Sequence, residues 1–286
     1  MLHVPVMLQE VINSCPDNCN LIIDGTLWHW GHSFHLSSKT KKLIWMDLDS
    51  DMLLVAQKNL EHIPNITYFH DSYANIEFVS SKYWKADFVL LDLWVNMDHF
   101  KIWDRGFSIN YDSPLDMRFN QDQNISAYDI INRYTSPQLE KIFIDYADFT
   151  SSKAKELADK IIQTRKASEI KTTFDLKRIL WGCWLGKSAI TVIFQSIRIQ
   201  TNNEIQNLQI FLKKLPDILS PLWICSIITF HSIEDRVVKK AFHELASTKG
   251  FELINKKVIK PTYQEIAKNK ASRSAQLRSI RHSKQS

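Results

Sequence analysis

The sequence predicts an α/β fold, a parallel sheet interrupted by a helical insertion. Three observations carry that prediction. Apolar runs at Leu21–Ile23, Lys42–Asp49 and Ala86–Leu93 each place an aspartate at or beside their end. A stretch of helical periodicity, Asp51–Leu60, separates the second run from a short strand at Ile66–Phe69, giving β-α-β alternation. From about Ser126 to Ile199 the pattern turns helical with charged faces, as in Ser136–Tyr146 and Lys153–Arg165.

Taken in order, Leu21-Ile22-Ile23 leads into Asp24-Gly25-Thr26, a buried strand feeding a loop and helix. Open α/β sheets bind ligands at such places, outside the carboxyl ends of their strands. A ligand pressed onto backbone N–H groups there requires glycine, because a Cβ takes the space it needs. Gly31 meets that requirement, but Trp28 and Trp30 stand beside it. The alternation resumes after the insertion with a helix at Asn203–Leu215 and a strand at Trp223–His231. The expected boundaries are 1–104 for the first part of the sheet domain, 105–202 for the insertion and 203–286 for the second part with a basic tail. No internal repeat or low-complexity segment is visible.

The 286 residues, 44% of them hydrophobic, suffice for a sizeable core and exclude a disordered or fibrous chain. The formal charge is +5, and Lys256–Ser286 carries nine Lys or Arg against the single acid Glu265. Such a segment suits a polyanionic partner, or is simply a solvated terminus. Cys15, Cys19, Cys183 and Cys225 show neither a disulfide framework nor zinc spacing, so no metal is expected and the thiols read as reduced. With no signal-peptide pattern and no apolar run of spanning length, a soluble cytoplasmic protein without membrane contact is expected.

Asp47 ends the second strand about twenty residues beyond the glycine turn, where a carboxylate binds a ribose hydroxyl pair. The equal alternative is local capping, with Asp49 or Ser50 starting the next helix. Asp92 ends the very apolar VLLDL, and a carboxylate there is costly without partners, which favours a site role. Two dense charged loops follow, Arg105-Gly106-Phe107-Ser108 and Pro114-Leu115-Asp116-Met117-Arg118. Phe230-His231-Ser232-Ile233-Glu234-Asp235-Arg236 closes a strand and opens a helix, with Ser232 as expected N-cap and Asp235 at its third position. His231 taken alone is more often a satisfied structural histidine than a catalyst. The last cluster, Ala271-Ser272-Arg273-Ser274-Ala275-Gln276-Leu277-Arg278, offers hydroxyls and guanidiniums suited to phosphate.

Together and in this order the segments resemble the RsmH (MraW) family of S-adenosylmethionine-dependent methyltransferases, which modify the exocyclic N4 of a cytosine in the decoding centre of small-subunit ribosomal RNA. The resemblance runs from His3-Val4-Pro5-Val6-Met7 through DGT…GHS, MDLD, LLDL, RGFS, PLDMR, FQSIRI, FHSIEDRVVK and SRSAQLR. It implies a class I (Rossmann-like) methyltransferase sheet, S-adenosylmethionine as cofactor, 16S rRNA in the small ribosomal subunit as partner, and leaves room for a homodimer. Carried over residue by residue, it gives Trp30, Gly31 and His32 to the methionine end of the cofactor, with Trp30 in a glycine position. Asp47 falls to the ribose and Tyr73 lies near the adenine. His99 joins the cofactor contacts, and Asp92 stands beside the reacting centre as the catalytic candidate. Arg105, Phe107, Asp116, Arg118, His231, Arg236, Arg273 and Arg278 fall to the RNA side.

The chain departs from the family most often in one way. Trp28, Trp30, Trp94 and Trp223 stand where the family has glycine, and Trp45 where glycine is frequent. The chain holds nine Trp and six Gly, against about twenty Gly expected at the usual content of about 7%. Drift would scatter glycine into small residues. A gene that reads UGA as glycine, translated with UGA as tryptophan, explains the bias; the rival is a pseudoenzyme whose turn is filled by indoles. Expected, then, is an in-line methyl transfer in which the cytosine amino group is aligned and its protons accepted by Asp92 or nearby carbonyls. The base would be presented unstacked near aromatic residues such as Phe107. The alternatives are a catalytically dead homologue acting in RNA binding or ribosome assembly, and a nicotinamide-dependent oxidoreductase, which the turn alone would allow.

Overall fold

The computed structural model of the chain describes residues 5–26, 31–94, 105–247 and 250–283. Seven strands form one sheet: β1 (Cys19–Asp24), β2 (Thr40–Asp47), β3 (Ile66–His70), β4 (Ala86–Asp92), β5 (Leu219–Thr229), β6 (Phe251–Leu253) and β7 (Gln276–His282). Their order is β3-β2-β1-β4-β5-β7-β6. The first five pair in parallel, and β7 runs antiparallel between β5 and β6. From β1 the chain winds outward to β2 and β3, then returns to place β4 on β1's other side. That reversal is the topological switch point, the place where open α/β sheets bind ligands outside their strand ends.

The expected parallel sheet is thus a mixed one. One of its two extra strands, β7, lies in the segment read as a basic tail, which thus contributes to the sheet. The cause is chemical: β7 buries Leu277 and Ile280 but also Ser279, whose hydroxyl lies 2.8 Å from Ser226 Oγ across the pair. A strand carrying two arginines and a buried serine lacks the apolar run that marks β1, β2 and β4. β4 is the opposite case, buried at all seven positions, as a central strand covered on both faces must be.

Helices α1 (Leu8–Ser14), α2 (Gly31–Ser37), α3 (Ser50–Asn59) and α4 (Ile76–Tyr83) accompany the first strands. Asp49 caps α3, accepting the Asp51 and Met52 N–H groups at 3.0 and 3.3 Å. The capping alternative for this segment therefore falls to Asp49, and Asp47 stays at the end of β2.

The chain divides into two compact units, Met1–Val95 with Ile205–Ser286, and Asn96–Glu204. The second unit is helical among the described residues. It comprises α5 (Ala127–Arg133), α6 (Ser136–Ala147), α7 (Ser151–Ala167), α8 (Thr173–Gly182) and α9 (Lys187–Thr201). Ser126 with Asp129, Thr135 with Gln138 and Thr172 with Asp175 form capping boxes, satisfying the first N–H groups of α5, α6 and α8. Its core gathers Leu139, Phe143, Leu157, Ile161, Leu176 and Ile193. Helices α10 (Glu204–Ile218), α11 (Ser232–Ser247) and α12 (Tyr263–Lys268) follow. Among the described residues no helix is long and apolar enough to cross a membrane, and the four cysteines are free and buried.

Candidate functional site

Three aspartates end neighbouring parallel strands: Asp47 on β2, Asp24 on β1 and Asp92 on β4. Asp24 pairs in register with Trp45 on one side and Leu90 on the other, so all three carboxyls occupy one edge of the sheet. Thr26 ties two of them together. Its hydroxyl accepts the Asp92 N–H at 2.7 Å and lies 3.5 Å from Asp24 Oδ1 as a donor.

Asp24 and Asp92 are both buried, and burial raises each carboxyl, to about 7 for Asp24 and to about 8 for Asp92. Ser33 donates its hydroxyl to Asp24 and Thr26 its N–H, which hold the first value down. For Asp92 the Trp94 N–H is the lowering contact, while the charges of Asp24 and Glu234 push further up. Two carboxyls on adjacent strand ends, both desolvated, are poised to exchange protons near neutral pH.

His32, in the first turn of α2, points its Nδ1 to 3.5 Å from Asp92 Oδ2, and its Nε2 lies 2.8 Å from the Val6 carbonyl oxygen. A carbonyl only accepts, so Nε2 carries a proton and donates it to Val6, and Nδ1 is the ring nitrogen that faces Asp92. Gly31 just before it is required, because a Cβ there would collide with the Pro5 ring. Trp45 is fully buried, packs edge-on to Tyr68 at 5.4 Å, and donates its Nε1–H to Ser33. Trp94 lies against Phe230 with centroids 4.7 Å apart. Tyr73 stands at the start of the short turn before α4 and packs edge-on against Phe211 at 6.0 Å. Trp28, Trp30 and His99 lie outside the described residues.

The FHSIEDR segment folds differently from its expected capping. His231, not Ser232, caps α11, its Nδ1 accepting the Glu234 N–H at 3.3 Å. Glu234 Oε2 accepts the Phe230 N–H at 2.8 Å, and its Oε1 pairs with His231 Nε2 at 2.8 Å. Asp235 instead takes a two-point ion pair from Arg278, at 2.7 and 3.0 Å. Sequence reasoning missed Glu234 because glutamate at a third helical position reads as an exposed cap. Only burial shows it turned inward.

Several residues expected to face RNA serve the fold. Arg105 is buried and donates to the Arg118 and Phe119 carbonyls, and Phe107 is buried and stacked on Phe119 at 5.4 Å. Arg118 grips Asp116 through Nε and Nη2 at 2.9 and 2.7 Å and donates to the Gln121 and Gln123 carbonyls. Gly106, at φ 74°, lets these two loops close, since a Cβ there would strike the Pro114 carbonyl. Arg273 and Arg236 remain on the surface, and His231 is half-buried.

A family model described as the MraW methylase family matches residues 1–283. Among curated relatives, a "Ribosomal RNA small subunit methyltransferase H" of Brachyspira hyodysenteriae is 35% identical over 290 residues, covering 97% of this chain and 96% of that protein. One of the same name from Leptospira interrogans is 34% identical over 303 residues, covering 99% and 90%. A crystal structure of an rRNA methylase from Streptococcus thermophilus aligns with TM-score 0.45 at 9% identity, covering 97% of this chain and 94% of that one.

Proposed function

The chain belongs to the MraW methylase family, and from that membership we propose that it methylates the exocyclic N4 of a cytosine in the decoding centre of 16S rRNA, using S-adenosylmethionine. The observation that carries the reading is the buried Asp92 carboxyl, raised to about 8, at the switch point of the sheet and beside His32. The donor set of the crevice suits the cofactor. Asp47 ends β2 where ribose hydroxyls need an acceptor, and Tyr73 offers a ring for the adenine.

S-adenosylmethionine supplies an electrophilic methyl on a sulfonium. The protein's share is to position and to take up a proton. The amino nitrogen of cytosine is a weak nucleophile because its lone pair is delocalised into the ring, so alignment and hydrogen bonds that strengthen as charge develops lower the barrier. Asp92 in its ionised form, which predominates above a pH of about 8, accepts a hydrogen bond from that amino group and takes up the proton released. His32 receives the Asp92 proton on Nδ1 or returns it, its Nε2–H held by Val6. Arg273 and Arg236 supply phosphate contacts, a role that leaves Arg278 and Arg118 to the fold.

The test is transfer of labelled methyl groups to small ribosomal subunits, followed by nucleoside analysis. N4-methylcytosine is expected from a chain in which Trp28, Trp30 and Trp94 are replaced by glycine. Transfer to another base or to protein would refute the substrate. RNA binding without transfer in both forms would establish the non-catalytic assembly role instead.

A further inference from the structure

Two tryptophans outside the site sit in backbone that tryptophan does not adopt. Trp84 follows the last turn of α4 with φ 130° and ψ 177°, a region occupied almost only by glycine. Gly250, at φ 121°, is the described residue nearest to it among those with positive φ. Trp184 follows α8 at φ 59°, its N–H donating to the Trp181 carbonyl at 3.0 Å. That is the left-handed position past a helix end where glycine is the usual residue.

Neither indole gains anything for the strain. Trp84 is 80% exposed and Trp184 is 96% exposed. A functional distortion is held in place by surrounding contacts, and these side chains have almost none. Among the described residues six other non-glycine residues have positive φ, at 51–74°: Asn18, Asp148 and Asn203, types that tolerate the left-handed region, Met7 and Met117, which are fully buried, and Leu222. Trp184 occupies that region without the packing that holds Met7 and Met117 there, and Trp84 lies beyond it altogether.

We infer that positions 84 and 184 are glycine in the protein as its own cells make it, both being UGA codons read under a code in which UGA specifies glycine. This reaches by backbone geometry alone the exchange that motif comparison assigns to positions 28, 30, 45, 94 and 223, and it does not depend on the methyltransferase reading. Its consequence is general. Two helix ends and the turn before β4 recover their ordinary stop signal, and replacing the indole at 45 opens space beside Ser33 and beside Tyr68, whose buried hydroxyl has no partner among the described residues.

Two measurements decide it. The gene's codons at 84 and 184 should both be UGA, and peptides of the protein from its source cells should carry the glycine mass at both; UGG or a tryptophan mass at either position overturns the inference. In the chain made with tryptophan as written, Trp84→Gly and Trp184→Gly should each lower the unfolding constant about fivefold or more relative to Trp84→Ala and Trp184→Ala. At Trp181, inside α8, the order should reverse, because glycine weakens a helix interior. Alanine equal to or better than glycine at 84 and 184 would also overturn it.

Discussion

His32 Nδ1 lies 3.5 Å from Asp92 Oδ2, joining the first turn of α2 to the end of the most buried strand of the sheet. The Val6 carbonyl claims the other ring nitrogen, which leaves Nδ1 as the atom facing a carboxyl that burial raises to about 8.

Burial of Asp24 and Asp92 sets a pH dependence. In the unfolded chain Asp24 and Asp92 ionise near 3.8, whereas in the fold they hold their protons to about 7 and about 8. The native state therefore binds more protons over this interval, so these two groups lower stability as pH rises from about 4 to 8, with no further loss above. Asp92→Asn should flatten the decline, by up to about tenfold in the unfolding constant for each pH unit removed. A denaturant titration at several pH values reads this, and an unchanged slope would show that Asp92 ionises normally.

Asp47 should act on cofactor affinity. Its Oδ1 accepts the Asp49 N–H at 2.7 Å, which orients the carboxylate at the end of β2. In the glycine-restored chain, Asp47→Ala should weaken S-adenosylmethionine binding about 10- to 100-fold by calorimetry, the worth of hydrogen bonds to a charged group. Asp49→Ala should instead lower thermal stability through loss of the α3 cap. A reversed pattern would return Asp47 to a local structural role.

Arg278 and Arg273 should separate in experiment. Arg278→Ala breaks a two-point pair with Asp235 that is largely shielded from water, and a double-mutant cycle with Asp235→Ala should show coupling of about 1 kcal/mol or more. Arg273→Ala should leave stability unchanged and reduce the salt dependence of RNA binding by nearly one phosphate contact. If Arg278→Ala alone flattens the salt dependence, its guanidinium reaches RNA.

Gly106→Ala should disrupt the helical unit. The residue holds φ 74° against the Pro114 carbonyl, where any side chain collides, and the loop it closes donates the Met117 N–H to the Arg105 carbonyl at 2.7 Å. Loss of the cooperative unfolding transition or a large drop in its midpoint is expected by circular dichroism; a change within that of a surface substitution would show that the loop rearranges freely.

The amino-acid sequence by itself determined the strand ends that matter. Apolar runs closing on Asp24, Asp47 and Asp92 are local signals, since a buried parallel strand must be apolar throughout and its last polar residue marks the rim. The family pattern was likewise legible from motif order, and the excess of tryptophan over glycine from composition. Only the tertiary structure decided which charges are used up inside the fold. Arg105, Arg118 and Arg278 look identical to Arg273 in sequence, because an arginine's partner is set by what packs across from it: Asp235 meets Arg278 from 43 residues away. β7 escaped notice for the same reason, its serine and arginines being acceptable in a strand only when Ser226 and Asp235 stand opposite. The positive-φ backbone at Trp84 and Trp184 is also a tertiary fact, since φ depends on where the helix must end and the next element begin.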